Sequence, residues 1–429
     1  MKTDSAKYVI IGNSTAAIGC IEGIRSVDPD RSVILVAKEP CHTYSRPLIS
    51  YFLAGEIDAE RMHYRPRDFY DANRVDARLG LAATRVDPEQ KIVETTNGSL
   101  HFEKLLIASG GRPFVPDIPG IEASGVFTFT SWNDATVIGE YIEGNRAKRA
   151  VVVGGGLIGI KAAEALRARG LDVLVVELAG RLLPLALDAE GSRMAEESLR
   201  AAGVELECST TVNRVLTEDG CVSGVLQGND RTASCNLVIV AAGVVPATGL
   251  VAGSGIGVDK GILIDEGCRT SVEGIFAAGD VAQGCDALSG ESRPIPIFPN
   301  AYHQGRVAGV NMAGGDASTN GTFSMNSVEV FGLPTVSVGL ATASGDGYEE
   351  LVHDDEASGT YRRVVLRGDR IVGALFVGDI DRAGIFTGLM RQGIDISSFK
   401  DLLLTEEFGL ISLPEEYRKH VVMGEAIEV

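Results

Sequence analysis

Residues 150–166 read AVVVGGGLIGIKAAEAL, a short apolar strand that runs through a glycine-rich turn into a helix of small residues. Within Gly154-x-Gly156-x-x-Gly159, the first glycine allows a tight turn and the second lets the backbone approach a pyrophosphate. The third lets the helix pack against the strand, so that the positive end of the helix dipole points at the phosphates. The stretch therefore predicts a dinucleotide-binding turn.

An acidic residue follows at the spacing that such a turn requires. Residues 172–181 read DVLVVELAGR, and they place Glu177 about twenty residues beyond the glycines. A carboxylate at this point accepts a hydrogen bond from a ribose 2′-hydroxyl and repels a 2′-phosphate, which favours NAD over NADP. The predicted NAD-binding set is Gly154, Gly156, Leu157, Ile158, Gly159, Glu177 and Gly243.

A second copy of the same plan lies near the N-terminus. Residues 8–24 read YVIIGNSTAAIGCIEGI, in which Gly12-x-Ser14-x-x-Ala17 replaces two glycines by other small residues. The next apolar run, residues 32–39, ends in Lys38 and Glu39, so the ribose-binding acid is either Glu39 or absent. Two copies in one chain predict two bound nucleotides.

The apolar runs indicate the fold class. Residues 8–11, 33–36, 105–107 and 151–153 are continuously apolar, as strands buried on both faces of a parallel sheet are. Helical patterns separate several of them, which indicates βαβ units. From about Phe323 the sequence pattern changes to one typical of a separate α+β domain. The predicted fold is α/β, with two nested Rossmann-like dinucleotide-binding domains and a C-terminal α+β interface domain.

Two further segments extend the pattern over the whole chain. Residues 104–113 read KLLIASGGRP and residues 274–282 read GIFAAGDVA. With them, the chain resembles the pyridine nucleotide–disulfide oxidoreductase superfamily, in which FAD binds to the first unit and NAD(P) to the second. The resemblance implies an FAD-binding set of Gly12, Ser14, Ala16, Ala17, Lys38, Glu39, Arg46, Pro47, Ala83, Ala108, Ser109, Gly110, Gly279, Asp280, Asn300 and Ala301.

The resemblance also gives roles to three parts of this set. The 108–110 segment marks the return of the chain past FAD, and Gly279-Asp280 hydrogen-bonds the ribityl and pyrophosphate region. Residues 301–312 are predicted to form a helix with Asn300 as its N-cap. In the family the start of this helix points at the flavin, where its dipole stabilises negative charge. The alternative for Asn300 is an ordinary helix cap.

Residues 41–50, CHTYSRPLIS, indicate the branch of the family. They resemble the corresponding segment of rubredoxin reductases and of the flavin region of assimilatory nitrite reductases, and lack the C-x-x-x-x-C pair of disulfide reductases. Cys41 lies ahead of the position where a single redox cysteine is found in NADH oxidases and peroxidases. Residues 405–408 read TEEF and do not match the family's C-terminal His-Glu dyad. Thiol relay chemistry is therefore not expected.

Two cations are the predicted catalytic residues. Arg46 occupies the position at which this branch places a Lys or Arg near the flavin, where a fixed guanidinium stabilises the reduced, anionic cofactor. Lys161 stands where many members have Glu, and it either adds positive charge near the flavin or points to solvent. The alternative for Arg46 is a structural salt bridge. Leu157 replaces a Tyr of many members, so no aromatic lid over the nicotinamide is expected.

The resemblance sets the predicted domain boundaries and partners. Residues 1–118 and 246–322 form the FAD-binding domain, 119–245 the NAD-binding domain, and 323–429 a C-terminal domain that makes the interface to another subunit. The predicted function is an FAD-dependent NAD(H):acceptor oxidoreductase that exchanges electrons with an iron–sulfur partner, similar to the flavin subunits of phenylglyoxylate dehydrogenase and tungsten aldehyde oxidoreductase. The alternatives are a free-standing rubredoxin or ferredoxin reductase, an NADH oxidase or peroxidase that uses Cys41, and a non-catalytic sensor or assembly protein.

The composition excludes other classes. The 429 residues carry 58 acidic and 39 basic side chains, a net charge of −19, so a nucleic-acid or anionic-membrane binder is not expected. Seven scattered cysteines without a C-x-x-C pair predict a reducing compartment and no metal site. We find neither a signal-peptide pattern nor an apolar run of about 18 residues, and we expect a cytoplasmic protein without a membrane span.

Overall fold

A computed structural model of the chain describes residues 3–145, 147–409 and 413. The first sheet is formed mostly by the N-terminal part of the chain. Its strands and helices up to the first crossover are β1 (Thr3–Ile11), α1 (Thr15–Val27), β2 (Val33–Ala37), α2 (Ile49–Ala54), α3 (Phe69–Ala72), β3 (Val75–Leu79), β4 (Ala83–Asp87), β5 (Ile92–Thr95) and β6 (Gly98–Ile107). Two single-turn 3-10 helices, Arg46–Leu48 and Glu60–Met62, flank α2.

The second sheet follows after a short ribbon. Its part of the chain contains β7 (Gly111–Pro113), β8 (Val126–Thr128), α4 (Trp132–Asn145), β9 (Arg149–Val153), α5 (Leu157–Ala168), β10 (Asp172–Val176), α6 (Ala189–Ala201), β11 (Glu205–Glu207), β12 (Val212–Glu218), β13 (Cys221–Gln227), β14 (Thr232–Ser234), β15 (Leu237–Val240) and β16 (Val244–Pro246).

The chain then returns to the first sheet and ends in a separate unit. The remaining elements are β17 (Ile262–Leu263), β18 (Ile275–Ala277), β19 (Ala282–Cys285), β20 (Ser292–Arg293), α7 (Phe298–Met312), β21 (Met325–Val330), β22 (Leu333–Gly339), β23 (Glu349–Asp355), β24 (Thr360–Arg367), β25 (Arg370–Val377) and α8 (Ala383–Gln392). Single 3-10 turns lie at Thr248–Val251 and Lys400–Leu402.

Both predicted nucleotide-binding units form parallel sheets. In the first, β3, β2, β1, β6 and β18 are neighbours in parallel pairs, with β5 and β4 added antiparallel at the edge. In the second, the order is β11-β10-β9-β15-β8, and every pair is parallel. All five residues of β2 are buried, as expected of a strand covered on both faces. The predicted α/β class is confirmed.

A two-stranded ribbon joins the two sheets. The outgoing strand β7 pairs antiparallel with the returning strand β16, with Gly111 opposite Pro246. The Ser109 hydroxyl donates to the Ala247 carbonyl oxygen over 3.0 Å, and the Ala247 N–H donates to the Gly110 carbonyl oxygen over 2.9 Å. This crossover lies close to the predicted boundaries at 118/119 and 245/246, which stay predictions.

The last five strands form the predicted α+β unit. Their antiparallel order is β21-β22-β25-β24-β23, and α8 packs against them through the aromatic residues Phe376, Phe386 and Phe408. This unit contacts helix α6. The Tyr361 hydroxyl donates a hydrogen bond over 2.5 Å to Asp188, the N-cap of α6. Within the part of the chain that is described, no helix combines the length and the apolarity needed to cross a bilayer.

Glycines bring α1 and α7 into backbone contact. A Cβ atom at Gly19 would lie 2.3 Å from the Tyr302 carbonyl oxygen, and one at Gly305 would lie 2.0 Å from the Ala16 carbonyl oxygen. Further along, a Cβ at Gly309 would lie 2.2 Å from the Cys20 carbonyl oxygen. Since real Cβ atoms do not approach oxygen so closely, only glycine permits this helix spacing.

This packing predicts a stability effect. Replacing Gly305 by Ala should force α1 and α7 apart and cost about 3 kcal/mol, because the obstacle is backbone rather than a side chain that can move. The control is Gly388→Ala in α8, where a Cβ meets nothing within 4 Å. Alanine there should stabilise by about 1 kcal/mol or less. Thermal unfolding of both variants checks this expectation, and equal melting temperatures would contradict it.

Candidate functional site

Three predicted FAD-binding segments converge at the carboxyl edge of the first sheet. Gly279, at the end of β18, lies between the first turns of two helices, since a Cβ there would be 3.3 Å from Ala16 Cβ and 3.4 Å from Ala301 Cβ. Gly12 lies against the next strand end, where its Cβ would be 2.1 Å from the Ala108 carbonyl oxygen. Two helix N-termini thus point at one place, which is an arrangement that favours phosphate and other anions.

The start of α7 differs from the prediction. The helix begins at Phe298, three residues before the predicted start, and its N-cap is Ile297. The prediction that Asn300 is the N-cap was wrong because Pro299 is tolerated in the first turn, where its missing N–H needs no partner. Asn300 is instead buried within the helix, and its Nδ2 donates to the Ile295 carbonyl oxygen over 2.9 Å.

Unpartnered polar atoms show that this place suits a polar cofactor. The Asn300 Oδ1 and Thr43 Oγ1 atoms are buried without a hydrogen-bond partner. The hydroxyl of Ser14, the N-cap of α1, makes no capping hydrogen bond. Buried polar groups are normally satisfied, so these atoms have the chemistry to bind a group that carries donors and acceptors. The residues present therefore fit FAD.

Arg46 and Glu39 form an ion pair at the rim of this place. Arg46 Nη2 lies 2.6 Å from Glu39 Oε1, and the Tyr44 hydroxyl donates to Glu39 Oε2 over 2.7 Å. Asp280 is close enough for its charge to interact with that of Arg46. Burial raises the pKa of the Asp280 carboxyl, whereas the Arg46 guanidinium acts in the opposite direction.

The other predicted FAD residues lie along the same edge. Lys38 is exposed directly after β2, Pro47 is exposed in the 3-10 turn, and Ala83 begins β4. Ala17 is buried in α1. Ala108, Ser109 and Gly110 follow β6, beside the turn that begins at Gly12. Direct contact of each residue with FAD stays a prediction.

The second turn has the predicted shape for a dinucleotide. Gly154 has a φ of +112°, and a Cβ there would lie 2.4 Å from the Ala241 carbonyl oxygen. Gly159 fits only without a side chain, because its Cβ would lie 1.9 Å from the Gly154 carbonyl oxygen. Gly156 is the N-cap of α5 and faces open space, as does Gly243 across the turn. Leu157 and Ile158 form the first, half-buried turn of α5.

Glu177 lies directly after β10, and its carboxylate accepts a hydrogen bond from the glycine-rich turn. Its Oε2 accepts the Gly155 N–H over 2.5 Å, and its Oε1 accepts the Ala179 N–H over 2.6 Å. The carboxylate is held rigidly in the position predicted for a ribose-binding acid, and carboxylate oxygens retain further lone pairs for a ribose hydroxyl. Its contact with NAD stays a prediction.

Lys161 makes its contacts toward the C-terminal unit. Its ammonium group donates to Glu164 over 2.5 Å and to the Glu329 carbonyl oxygen over 2.9 Å. The same group lies 5.6 Å from the centroid of the Tyr51 ring. Lys161 is thus not free in solvent, and its predicted role near the flavin stays a prediction.

Cys41 lies beside the FAD place, half-buried next to Asn13. Burial and the nearby Glu39 charge raise the pKa of its thiol, while Arg46 acts in the opposite direction. A thiol with a raised pKa forms little thiolate, which is the reactive species. This disfavours Cys41 as a redox nucleophile.

Sequence reasoning missed several polar residues at this place. Asn13, inside the first turn, donates from Nδ2 to the Cys41 carbonyl oxygen over 3.0 Å and accepts from the Tyr70 hydroxyl. Its position between the glycine and serine of the motif was the available signal. Thr43 and Tyr70 carried no sequence signal, because their approach depends on the pairing of Tyr44 with His63.

These two dinucleotide sites on parallel sheets define a flavoprotein oxidoreductase that uses a nicotinamide nucleotide. Comparison with known families agrees. Residues 6–305 match the pyridine nucleotide-disulphide oxidoreductase family, and residues 325–394 match the rubredoxin NAD+ reductase C-terminal domain. The chain belongs to the pyridine nucleotide-disulphide oxidoreductase family, and the predicted cofactors, FAD and NAD, are those of this family.

Individual relatives cover most of the chain. The epsilon subunit of NADH-dependent phenylglyoxylate dehydrogenase from Aromatoleum evansii is 31% identical over 401 residues, which is 92% of this chain and 94% of that protein. The NAD(P)H nitrite reductase of Bacillus subtilis is 30% identical over 91% of this chain, but only over 48% of its own length. A solved NAD-dependent persulfide reductase from A. fulgidus has a TM-score of 0.83 at 28% identity, covering 91% of this chain and 77% of that one.

The geometry of Glu177 predicts nucleotide selectivity. Glu177→Gln should weaken NAD binding by about tenfold, since hydrogen bonds to charged groups contribute about 1.5–3 kcal/mol. NADP binding should weaken less or improve, because the charge that repels a 2′-phosphate is gone. The matched control is Glu205→Gln on the neighbouring β11, an exposed carboxylate paired with Arg149. Calorimetric titration with both nucleotides measures the effect, and an unchanged NAD/NADP ratio would contradict it.

Proposed function

We propose that the chain is the FAD- and NAD-binding electron-transfer subunit of a larger oxidoreductase, exchanging hydride with NAD(H) and single electrons with an iron–sulfur partner. The observation that carries the proposal is the pairing of two complete nucleotide turns with a cysteine-poor flavin segment, in which the Cys41 thiol has a raised pKa. A bound FAD would supply hydride exchange with the nicotinamide and one-electron transfer to the acceptor. No thiol step is then required between the nicotinamide and the acceptor.

The residues of this chain bind and orient. The helix N-termini at Ser14 and Gly156 favour the two pyrophosphates, and Glu177 fixes the ribose of the nicotinamide nucleotide. The first turn of α7 favours negative charge beside it, which stabilises a reduced cofactor. Fixed positions of this kind lower the entropic barrier to hydride transfer.

Similarity to a named enzyme subunit supports the proposal that this chain is part of a permanent complex. The relative from Aromatoleum evansii is similar over nearly its whole length and is by name one subunit of a dehydrogenase. We propose a cytoplasmic location and assembly through residues 323–429, whose described part forms the α+β unit. A net charge of −19 also disfavours capture of acidic free carriers, whereas a permanent interface needs no long-range steering.

A free-standing rubredoxin reductase is the second candidate. The match of residues 325–394 to the rubredoxin NAD+ reductase C-terminal domain favours it specifically. The two candidates differ in what accompanies the purified protein, because a subunit co-purifies with iron–sulfur chains and a free reductase does not. Size-exclusion chromatography of the native protein with iron analysis separates them.

Anaerobic titration with NADH tests the shared claim. We expect about one equivalent of NADH to bleach the flavin absorbance fully, since one hydride delivers both electrons. Readmitted air should reoxidise it slowly. Rapid reoxidation with sustained NADH consumption would instead support an oxidase, and no bleaching at all would refute the oxidoreductase assignment in favour of a sensor or assembly protein.

Replacing Cys41 separates the oxidase alternative from the others. Cys41→Ser should leave NADH-dependent reduction of an artificial dye nearly unchanged, because the raised pKa leaves the thiol protonated near neutral pH. Iodoacetamide should label Cys41 only as the pH rises above the ordinary thiol range, later than the exposed Cys285. Mass spectrometry across a pH series measures this order. Loss of turnover in Cys41→Ser would establish a redox thiol.

A further inference from the structure

Glu39 is fully engaged by neighbours of its own segment. Its Oε1 accepts from Arg46 Nη2 over 2.6 Å, and its Oε2 accepts from the Tyr44 hydroxyl over 2.7 Å. The guanidinium also lies over the Tyr44 ring, 5.2 Å from its centroid. These two donors, one of them a guanidinium, hold the Glu39 carboxylate against Arg46.

The same network reaches across to the start of α4. The Trp132 N–H donates to the Tyr44 hydroxyl oxygen over 3.1 Å, and Arg46 Nη1 donates to the Thr130 carbonyl oxygen over 2.8 Å. The hydroxyl of Tyr44 therefore accepts from one side and donates to Glu39 on the other. Thr130, from a different part of the fold, holds the guanidinium directly, and Trp132 acts on it only through Tyr44 and Glu39.

Arg46 interacts with the cofactor place through its charge. The Arg46 side chain is 40% exposed and that of Glu39 is 30% exposed, so neither side chain is fully buried. Arg46 interacts electrostatically with Asp280, which follows the glycine that lies between α1 and α7. The positive charge next to the cofactor is consequently partly offset by the Glu39 carboxylate that holds it.

We infer that Glu39 and Tyr44 are positioning residues that fix Arg46 beside the cofactor, and that the Glu39 charge sets how strongly Arg46 favours the reduced flavin. This inference rests on the proposed function, because it assumes that FAD occupies the place defined by Gly279 and Asp280. It assigns Glu39 a role through Arg46 in place of the predicted ribose contact.

The direction of the effect follows from the charges. Removing the Glu39 charge leaves the guanidinium uncompensated, and an uncompensated cation stabilises the anionic, reduced cofactor. We expect Glu39→Gln to shift the equilibrium between oxidised and reduced flavin about tenfold toward reduction, which corresponds to a rise of about 30 mV for a two-electron couple. Glu39→Asp, which keeps the charge, should return the potential toward that of the unchanged protein.

The chain contains a matched control. Glu22 on α1 accepts from Arg65 Nε over 2.9 Å and also from the Tyr302 hydroxyl, so it has the same two kinds of partner. Glu22→Gln breaks an equivalent Arg–Glu–Tyr group, but the charges that act most on Arg65 are those of Glu22 and Tyr64. It should therefore leave the flavin potential unchanged, even if it costs similar stability.

The experiment measures the flavin midpoint potential of each FAD-loaded protein against a reference dye, together with the Kd of FAD for each apoprotein. A raised potential in Glu39→Gln alone, with a nearly unchanged Kd, supports the inference. Equal flavin potentials in Glu39→Gln, Glu22→Gln and the unchanged protein would show that the network is only a structural salt bridge, and would overturn the inference. A large loss of FAD affinity with an unchanged potential would support the predicted contact of Glu39 with the ribose and would overturn the inference.

Tyr44→Phe gives a second measurement if Glu39→Gln fails to fold. It keeps the ion pair but removes the hydroxyl that links Glu39 to Trp132, the only tryptophan of the chain. The ring of Trp132 lies 5.6 Å from that of Tyr44, so its emission reports on the network directly. A change in both emission and potential supports positioning, and a change in neither overturns it. Chemical reduction gives these potentials even if NADH does not reduce the flavin, so failure of the proposed function remains distinguishable.

Discussion

The close contact between α1 and α7 is the constraint on which the rest of the structure depends. Backbone oxygens of α1 occupy the space that side chains at Gly305 and Gly309 would fill, and the reverse holds at Gly19. Helices at this distance begin side by side, so their N-terminal N–H groups add at a single place. Gly279 lies between the two helix starts with a φ of +79°, a backbone conformation that favours glycine. The anion-favouring character of the site is thus a consequence of helix spacing.

The cations discussed at this site are paired with neighbouring groups. One guanidinium, that of Arg46, lies at the rim of the proposed FAD place, where it pairs with Glu39 and interacts electrostatically with Asp280. Lys161, the other cation of interest, is bound by Glu164 and by a carbonyl group of the C-terminal unit. A flavin surrounded by two free cations would be strongly biased toward its reduced form. If FAD binds here as proposed, these pairings limit that bias.

Much of the fold followed from local pattern. The glycine turns at Gly12 and Gly154 require backbone conformations and close contacts that few other residues allow, so their sequence signal is strong. Continuous apolar runs indicated the parallel strands because a strand covered on both faces has no polar side. The start of α7 was misplaced by three residues, because a proline in a first helical turn gives the same local signal as a proline before a helix.

The sequence by itself determined the two glycine-rich turns, the acid Glu177 at the end of the following strand and the lack of a redox cysteine pair, since each depends on residues close together in the chain. Only the tertiary structure decided the partners of Glu39, Lys161 and Asn300. The partners are Tyr44 and Arg46 for Glu39, Glu329 for Lys161, and Ile295 for Asn300, and they meet only when the strands and helices are packed. A long side chain reaches several candidate partners, and packing selects among them by distance, which no local pattern encodes.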